Sequence, residues 1–298
     1  MTENEFLFID RIQKIQSINK LYNLEENAYI SYSGGKDSTV LSHLIDEALP
    51  NNKIPRVYLN TGIEYLMVVS FVERERDGRI EIVRPKQNIR TVLEENGYPF
   101  KSKEHSQKVS FYQHSGYTKT VLNYLGKGDK KDFLCPEMLK YNFTEDFKLK
   151  VSDKCCYKLK KEVAGKWGKE NGRSITITGI RQNEKGLRQS MQSCTVFYDD
   201  KCKDLKKFHP LFPCTEDFID WYIKERNIKL CELYYPPYNF KRTGCKGCPF
   251  STDLQSQLDL MAMFLPAEKK QCEIIWKPVY EEYRRIGYRL INEPSLFD

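Results

Sequence analysis

Apolar side chains at Phe6, Ile9, Ile12 and Ile15 recur every three residues, so residues 5–24 read as a leading amphipathic helix. The period then changes. Ala28-Tyr29-Ile30-Ser31-Tyr32 is a short β-prone run that meets a glycine pair and passes into Ser38-Thr39-Val40-Leu41-Ser42-His43-Leu44-Ile45, which reads as a helix. A second strand, Arg56-Val57-Tyr58-Leu59, ends in Asn60-Thr61-Gly62 with a helical stretch behind it. A third, Ile80-Glu81-Ile82-Val83, ends at Pro85 and leads into a helix stopped by Gly97. A later strand, Ser174-Ile175-Thr176-Ile177-Thr178, again runs into a glycine, Gly179. Three strand–helix units in succession imply right-handed crossovers, hence an α/β fold: an open, mostly parallel sheet with helices on both faces. All four strands meet polar loops at their C-terminal ends, the edge where such sheets bind ligands.

Residues 100–172 read as mostly helical and charged. Residues 215–227 form a helix capped by Thr215, and a last helix is expected around 266–286. The simplest division is a leading helix at 1–24, an α/β domain at 25–232 and a Cys-bearing, helical C-terminal extension at 233–298. The chain of 298 residues is 40% hydrophobic and 13% aromatic, too apolar for a disordered polymer. No apolar run approaches the ~20 residues that cross a bilayer. Met1 to Asn4 lacks the basic start and apolar stretch of a signal peptide, so the expected location is cytoplasmic, without a membrane partner. A formal charge of +7 suits a polyanionic ligand. The basic clusters at 127–131, 158–161 and 201–207 read, each by itself, as solvated faces.

Candidate chemistry begins at Ser33-Gly34-Gly35-Lys36-Asp37-Ser38, between the first strand and its helix. Glycines let the backbone approach an anion, and the helix start presents free N–H groups and a positive dipole end. Lys36 adds charge, and Ser33 and Ser38 add hydroxyls. Asp37 is out of place in a simple anion seat, which points to holding Mg2+ or orienting the loop. The spacing is not that of a Walker-type loop. In this context the hexapeptide points to nucleotide phosphates. Arg181 and Arg188, beyond the fourth strand, are placed to reach phosphate or sulfate oxygens, although Glu184 and Arg188 also suit a surface helix pair.

This loop resembles the pyrophosphatase loop of the N-type adenine-nucleotide enzymes, the adenine nucleotide alpha hydrolase superfamily. The remaining motifs resemble the phosphoadenosine phosphosulfate (PAPS) reductase family within it. Asn60-Thr61-Gly62 is similar to that family's Asp-Thr-Gly, with Asn60 lacking the carboxylate. Thr178-Gly179-Ile180-Arg181 with Glu184 and Arg188 resembles its Gly-Ile-Arg element. His209-Pro210-Leu211 before Thr215 resembles its Pro-Leu stretch, with Cys214 where Trp is usual. Arg242-Thr243-Gly244-Cys245-Lys246-Gly247-Cys248-Pro249 resembles its cysteine-bearing tail. The resemblance spans roughly residues 25–250. It implies an adenine nucleotide held by Ser33 to Ser38, Asn60, Thr61, Gly62, Gly179, Arg181 and Arg188, with Lys36 and Asp37 catalytic.

Cys155-Cys156 and Cys245-x-x-Cys248 supply four thiolates, a set that suits either structural zinc or an iron–sulfur cluster. Adjacent side chains are awkward at one tetrahedral ion but can serve two irons of a cluster. Assimilatory sulfonucleotide reductases carry the same arrangement, and that resemblance implies a [4Fe–4S] cluster, with zinc as the alternative. Cys135, Cys194, Cys202, Cys214, Cys231 and Cys272 are assigned to packing or solvent.

Two reactions compete. Sulfonucleotide reductases use a nucleophilic cysteine in Glu-Cys-Gly-type sequence near the C-terminus. Cys272, in Lys-Gln-Cys-Glu, does not match it, nor does Asn292-Glu293-Pro294-Ser295-Leu296-Phe297-Asp298. The intact loop instead resembles that of enzymes splitting Mg2+-bound ATP to AMP and pyrophosphate in sulfur transfer, as in DNA phosphorothioation and, more distantly, tRNA thiolation. That reading brings a nucleic acid acceptor and a sulfur-donor protein as partners. Tyr-rich, basic segments at 111–131 and 234–242 suit such an acceptor or core packing equally. Sulfonucleotide reduction is the alternative. A third, a nucleotide-binding regulatory protein without turnover, draws on Asn60.

Overall fold

The computed structural model describes residues 1–129, 134–182, 193–199 and 204–291. Its elements in chain order are α1 (Glu3–Tyr22), α2 (Leu24–Asn27), β1 (Ala28–Tyr32), α3 (Lys36–Ala48), β2 (Arg56–Leu59), α4 (Leu66–Arg74), β3 (Ile80–Val83), α5 (Ile89–Asn96), α6 (Lys103–Ser115) and α7 (Lys119–Tyr124). Then follow α8 (Glu162–Glu170), β4 (Ile175–Ile177), β5 (Thr195–Phe197), β6 (Leu205–Phe208), α9 (Glu216–Glu225), α10 (Leu254–Phe264), α11 (Pro266–Ile275) and α12 (Lys277–Arg285). They gather into two compact units that interleave along the sequence. The first comprises Met1–Asn60, Glu64–Arg84 and Glu162–Thr243; the second comprises Thr61–Ile63, Pro85–Lys161 and the chain from Gly244 onward.

In the first unit, among the described residues, six strands form one sheet in the order β3-β2-β1-β4-β6-β5. β1 lies parallel to β2, with Ile30 beside Arg56, and parallel to β4, with Ile30 beside Ile177. The anticipated strands stand where the sequence puts them. The sequence pattern did not reveal β5 and β6. β6 buries only Leu205 and Phe208 and leaves Lys206 and Lys207 exposed, so its strand character was read as a basic cluster. β5 joins it as an antiparallel edge.

One face of the sheet packs on α1, α3 and α9 through Ile15, Val40, Leu41, Leu44, Ile45, Phe218 and Ile219, together with Ile30 and Ile177 of the strands. Burying each such side chain contributes roughly 1.5–3 kcal/mol. On the other face Trp167 of α8 sets its ring edge-on to Tyr29, 5.2 Å between centroids, and donates to Glu81 at 2.9 Å. α1 begins at a capping box, Thr2 with Glu5. Its buried stripe is rotated from the expected one. Ile15 and Ile18 are buried and Leu7, Phe8 and Ile12 pack beside them, while Phe6 and Ile9 face outward. A period of three drifts round a helix that turns every 3.6 residues, so the four apolar positions do not share one face.

The second unit is helical. Phe100 meets Tyr283 edge-on at 4.7 Å. Buried His105 lies between the Tyr124 hydroxyl, 3.0 Å from Nδ1, and Asn142 Oδ1, 3.1 Å from Nε2. The helix expected at 266–286 is two, α11 and α12, broken at Trp276. Pro278 follows two residues later, removing a backbone donor and crowding the carbonyl one turn back. α10 was not anticipated. No helix among the described residues is long and apolar enough to cross a membrane.

Candidate nucleotide-binding site

β1 is the pivot of the sheet: the chain moves from it to β2 and β3 on one side, then passes to β4 on the other. The loops that leave the carboxyl ends of β1 and β4 therefore flank the switch point, where open α/β sheets bind their ligands. The first of these loops is Ser33-Gly34-Gly35. The second is Thr178-Gly179-Ile180-Arg181.

Gly34 has φ +68, and a Cβ there would lie 2.8 Å from Val72 Cγ2 of α4, so both torsion and space exclude a side chain. Hydroxyls close the loop on itself. Ser33 N–H donates to Ser38 Oγ at 3.2 Å, Ser38 Oγ donates to the Gly35 carbonyl at 2.9 Å, and the two serine hydroxyls lie 3.0 Å apart. The Lys36 N–H, first in α3, donates to the Tyr234 hydroxyl at 3.0 Å, which also hydrogen-bonds Thr243 Oγ1 at 2.8 Å. At Gly179 a Cβ would lie 3.1 Å from the Asp37 carbonyl oxygen; its absence lets the β4 loop rest on the first turn of α3. Thr178 Oγ1 lies 2.7 Å from Nδ1 of buried His209, tying that loop to the end of β6.

Charged groups converge here. Arg181 Nε lies 3.1 Å from Asp37 Oδ1. Arg181 Nη2 lies 2.5 Å from Glu216 Oε2, Lys36 pairs with Glu216 Oε1, and its ammonium is 3.2 Å from Asp220 Oδ1. Burial alone would lower the Lys36 pKa, but Glu216 and Asp220 hold it above its ordinary 10.5. Burial likewise pushes the Glu216 carboxyl up, and hydrogen bonds from Lys36 and Arg181 outweigh it, holding the pKa below 4.5.

Of the residues singled out from sequence, Ser33 to Ser38, Asn60, Gly179 and Arg181 belong to this first unit, and Thr61 and Gly62 to the second. Asn60 follows β2 and donates its N–H to the Val83 carbonyl at 2.9 Å. Arg188, Glu184 and Cys202 lie outside the described residues. Sequence reasoning gave Glu216, Asp220, Tyr234 and Thr243 no part at this loop. Glu216, Asp220 and Tyr234 stand 180, 184 and 198 positions from Lys36, so no local pattern joins them to it.

All four singled-out cysteines lie in the second unit. Cys155 is buried, and its thiol is pushed up by its hydrogen bond with Cys156, by burial, and by the nearby Cys156, Cys248 and Cys245. The same hydrogen bond draws Cys156 down to about 6 against burial, with Lys103, Lys160 and Lys161 assisting. Burial, with Cys245 and Cys156 adding, pushes Cys248 up to about 12. The titrations of the four thiols are thus linked, and four cysteine thiols are the donor type that a thiolate-ligated group takes. Among the described residues, no three His, Cys, Asp or Glu side chains are grouped so as to hold a single metal ion.

Side chains of the C-terminal segment fix the Cys245–Cys248 turn. The carbonyls of Lys246, Gly247 and Pro249 accept from Trp276 Nε1 (3.2 Å), the Tyr280 hydroxyl and the Tyr283 hydroxyl (3.0 Å), and Pro249 also from Arg289 (2.6 Å). The buried Lys246 ammonium rests on Glu268 at 3.0 Å and Gln271 at 2.8 Å. Cys272 is fully buried in α11, and burial pushes its thiol up to about 12.

Fold and loop placement define the class: an α/β protein with a glycine-rich loop at the switch point of a mostly parallel sheet. The chain belongs to the PAPS reductase family, because the phosphoadenosine phosphosulfate reductase domain matches residues 27–127 and 131–251. No curated protein matches it. Among solved structures it is similar to phosphoadenylyl-sulfate (PAPS) reductase from Candida auris in a phosphate complex, at 17% identity over 74% of this chain and 82% of that one, TM-score 0.41. It is also similar to Candida glabrata FMN adenylyltransferase with FAD and inorganic pyrophosphate, at 15% identity and TM-score 0.44, covering 78% of this chain and only 62% of that one. A third likeness is to the U34-tRNA thiolase NcsA from Methanococcus maripaludis with its [4Fe–4S] cluster, at 15% identity over 98% and 82%, TM-score 0.39. Family membership rests on the domain match.

Proposed function

We propose that the chain binds ATP at the Ser33–Ser38 loop, splits it to AMP and pyrophosphate, and uses the adenylate for sulfur transfer. The observation carrying this reading is the meeting of Lys36 and Arg181, from loops on either side of the switch point, at one carboxylate (Glu216). Two cations held around one anionic group are what a polyphosphate tail requires. An oxygen of the acceptor attacks the α-phosphorus, the bond from that phosphorus to the bridging oxygen breaks, and pyrophosphate leaves with both electrons of the bond. A sulfur donor then displaces AMP from the acceptor carbon or phosphorus. Lys36 and Arg181 stabilise charge on the departing pyrophosphate, Asp37 holds Arg181 in place, and Mg2+ enters with ATP.

Cys155, Cys156, Cys245 and Cys248 would hold a [4Fe–4S] cluster, which supplies redox-active iron when bound. A polyanionic acceptor, nucleic acid, is favoured by the charge distribution. Residues 85–161 carry 16 Lys and Arg against nine Asp and Glu, which accounts for the whole basic excess of the chain. The reductase alternative needs an accessible nucleophilic thiol, and Cys272 is neither exposed nor acidic.

The test is anaerobic incubation with ATP or adenylylated sulfate, with and without donor and acceptor. ATP consumption with pyrophosphate and AMP as products is expected, and Lys36→Ala or Asp37→Ala should lower the rate at least about a hundredfold while the fold survives. Sulfite release from adenylylated sulfate, with ATP untouched, would establish the reductase reading instead.

A further inference from the structure

Glu216 opens α9 behind its Thr215 cap, and its carboxylate is turned to the nucleotide loops. One oxygen takes the Lys36 ammonium and the other takes Arg181 Nη2 at 2.5 Å. Asp220, one turn on, takes Lys36 again at 3.2 Å. The two cations have little room to turn elsewhere, since the Lys36 and Arg181 side chains are only 21% and 11% exposed, whereas the Glu216 carboxylate is half exposed at 53%. The partner open to solvent is therefore the acid. A carboxylate bridging two cations through its two oxygens presents the charge and spacing of two phosphate oxygens.

We propose that Glu216 is an internal stand-in for the ligand's phosphate, a specificity-determining residue that an entering polyphosphate must displace. This rests on the phosphate reading of Lys36 and Arg181 given above. Displacement subtracts the Glu216 contacts from the affinity of any ligand that uses both cations, and leaves untouched a ligand that uses neither. The site thus discriminates by phosphate content. A structural role for Glu216, which bridges β4-loop, α3 and α9, predicts the opposite sign, because loosening the site weakens every ligand.

The experiment measures dissociation constants of ATP, inorganic pyrophosphate and adenosine for the full chain and for Glu216→Gln. Asp217→Asn serves as control, removing the same charge from the next, exposed position. Glu216→Gln is expected to tighten ATP and pyrophosphate about three- to tenfold and to leave adenosine unchanged, with Asp217→Asn shifting neither by more than about twofold. Weaker or unchanged ATP and pyrophosphate binding in a folded Glu216→Gln variant overturns the stand-in. So does equal tightening by Asp217→Asn, which would make the effect one of general charge. Failure of the unaltered chain to bind ATP or pyrophosphate at all removes the phosphate reading itself and this inference with it.

Discussion

His105 shows how completely a neighbourhood can settle one side chain's chemistry. Asn142 Oδ1 only accepts, so Nε2 carries the ring proton, and Nδ1 then accepts from the Tyr124 hydroxyl. Burial, opposed by the Asn142 bond and reinforced by Lys101, lowers the pKa from 6.5 to about 3. A folded pKa below the unfolded one means that the unfolded chain takes up a proton first. The contribution to stability is therefore complete above pH 6.5 and declines as pH falls toward 3, by about 1.4 kcal/mol per pH unit at most. His105→Gln should flatten that part of the urea-unfolding free energy between pH 6.5 and 4, and an unchanged slope would refute it. None of this is legible in Lys-Glu-His-Ser, where the histidine looks like any exposed helical position. The glycine-rich Ser33–Ser38 loop is the opposite case. Its demands are local, a positive φ at Gly34 and a helix start at Lys36, so six consecutive residue types declare it.

Elements were legible where their own hydrophobic period was strong. β1, β2 and β3 have the expected bounds, and α9 starts at the expected cap, with Thr215 Oγ1 accepting the Phe218 N–H at 3.2 Å. Thr215→Ala should cost about 1 kcal/mol, read as a lower urea midpoint with an unchanged m-value, because Phe218, Ile219 and Tyr222 keep the helix docked. β6 was hidden because only its two end residues are inward and apolar, and β5 because a three-residue edge strand has no period to detect. α11 and α12 appeared as one helix because their shared pattern runs across Trp276, and only the backbone break shows how they part. The turn bearing Cys245 and Cys248 was legible as a motif. The clamp of Trp276, Tyr280 and Tyr283 on its carbonyls was not, since those aromatics read as ordinary core positions.

At the scale of the molecule, the two compact units interleave along the chain, and the four cysteines drawn from 155–156 and 245–248 share the second of them. Anaerobically prepared protein should carry roughly four iron and four sulfide per chain with broad absorbance near 400 nm, and Cys245→Ser should lose both. One zinc per colourless chain is the result that would reverse this expectation. The residue order by itself determined the class of fold, the family and the glycine-rich turn before α3, because these depend on hydrophobic period and on contiguous residues obeying local backbone rules. Tertiary structure alone decided that β4 lies beside β1, which brings Arg181 to Asp37, and that Glu216 bridges Arg181 and Lys36. Those contacts join residues 35 to 180 positions apart. They depend on which strand becomes whose neighbour, a choice made by burial of the whole sheet and written in no single stretch of the chain.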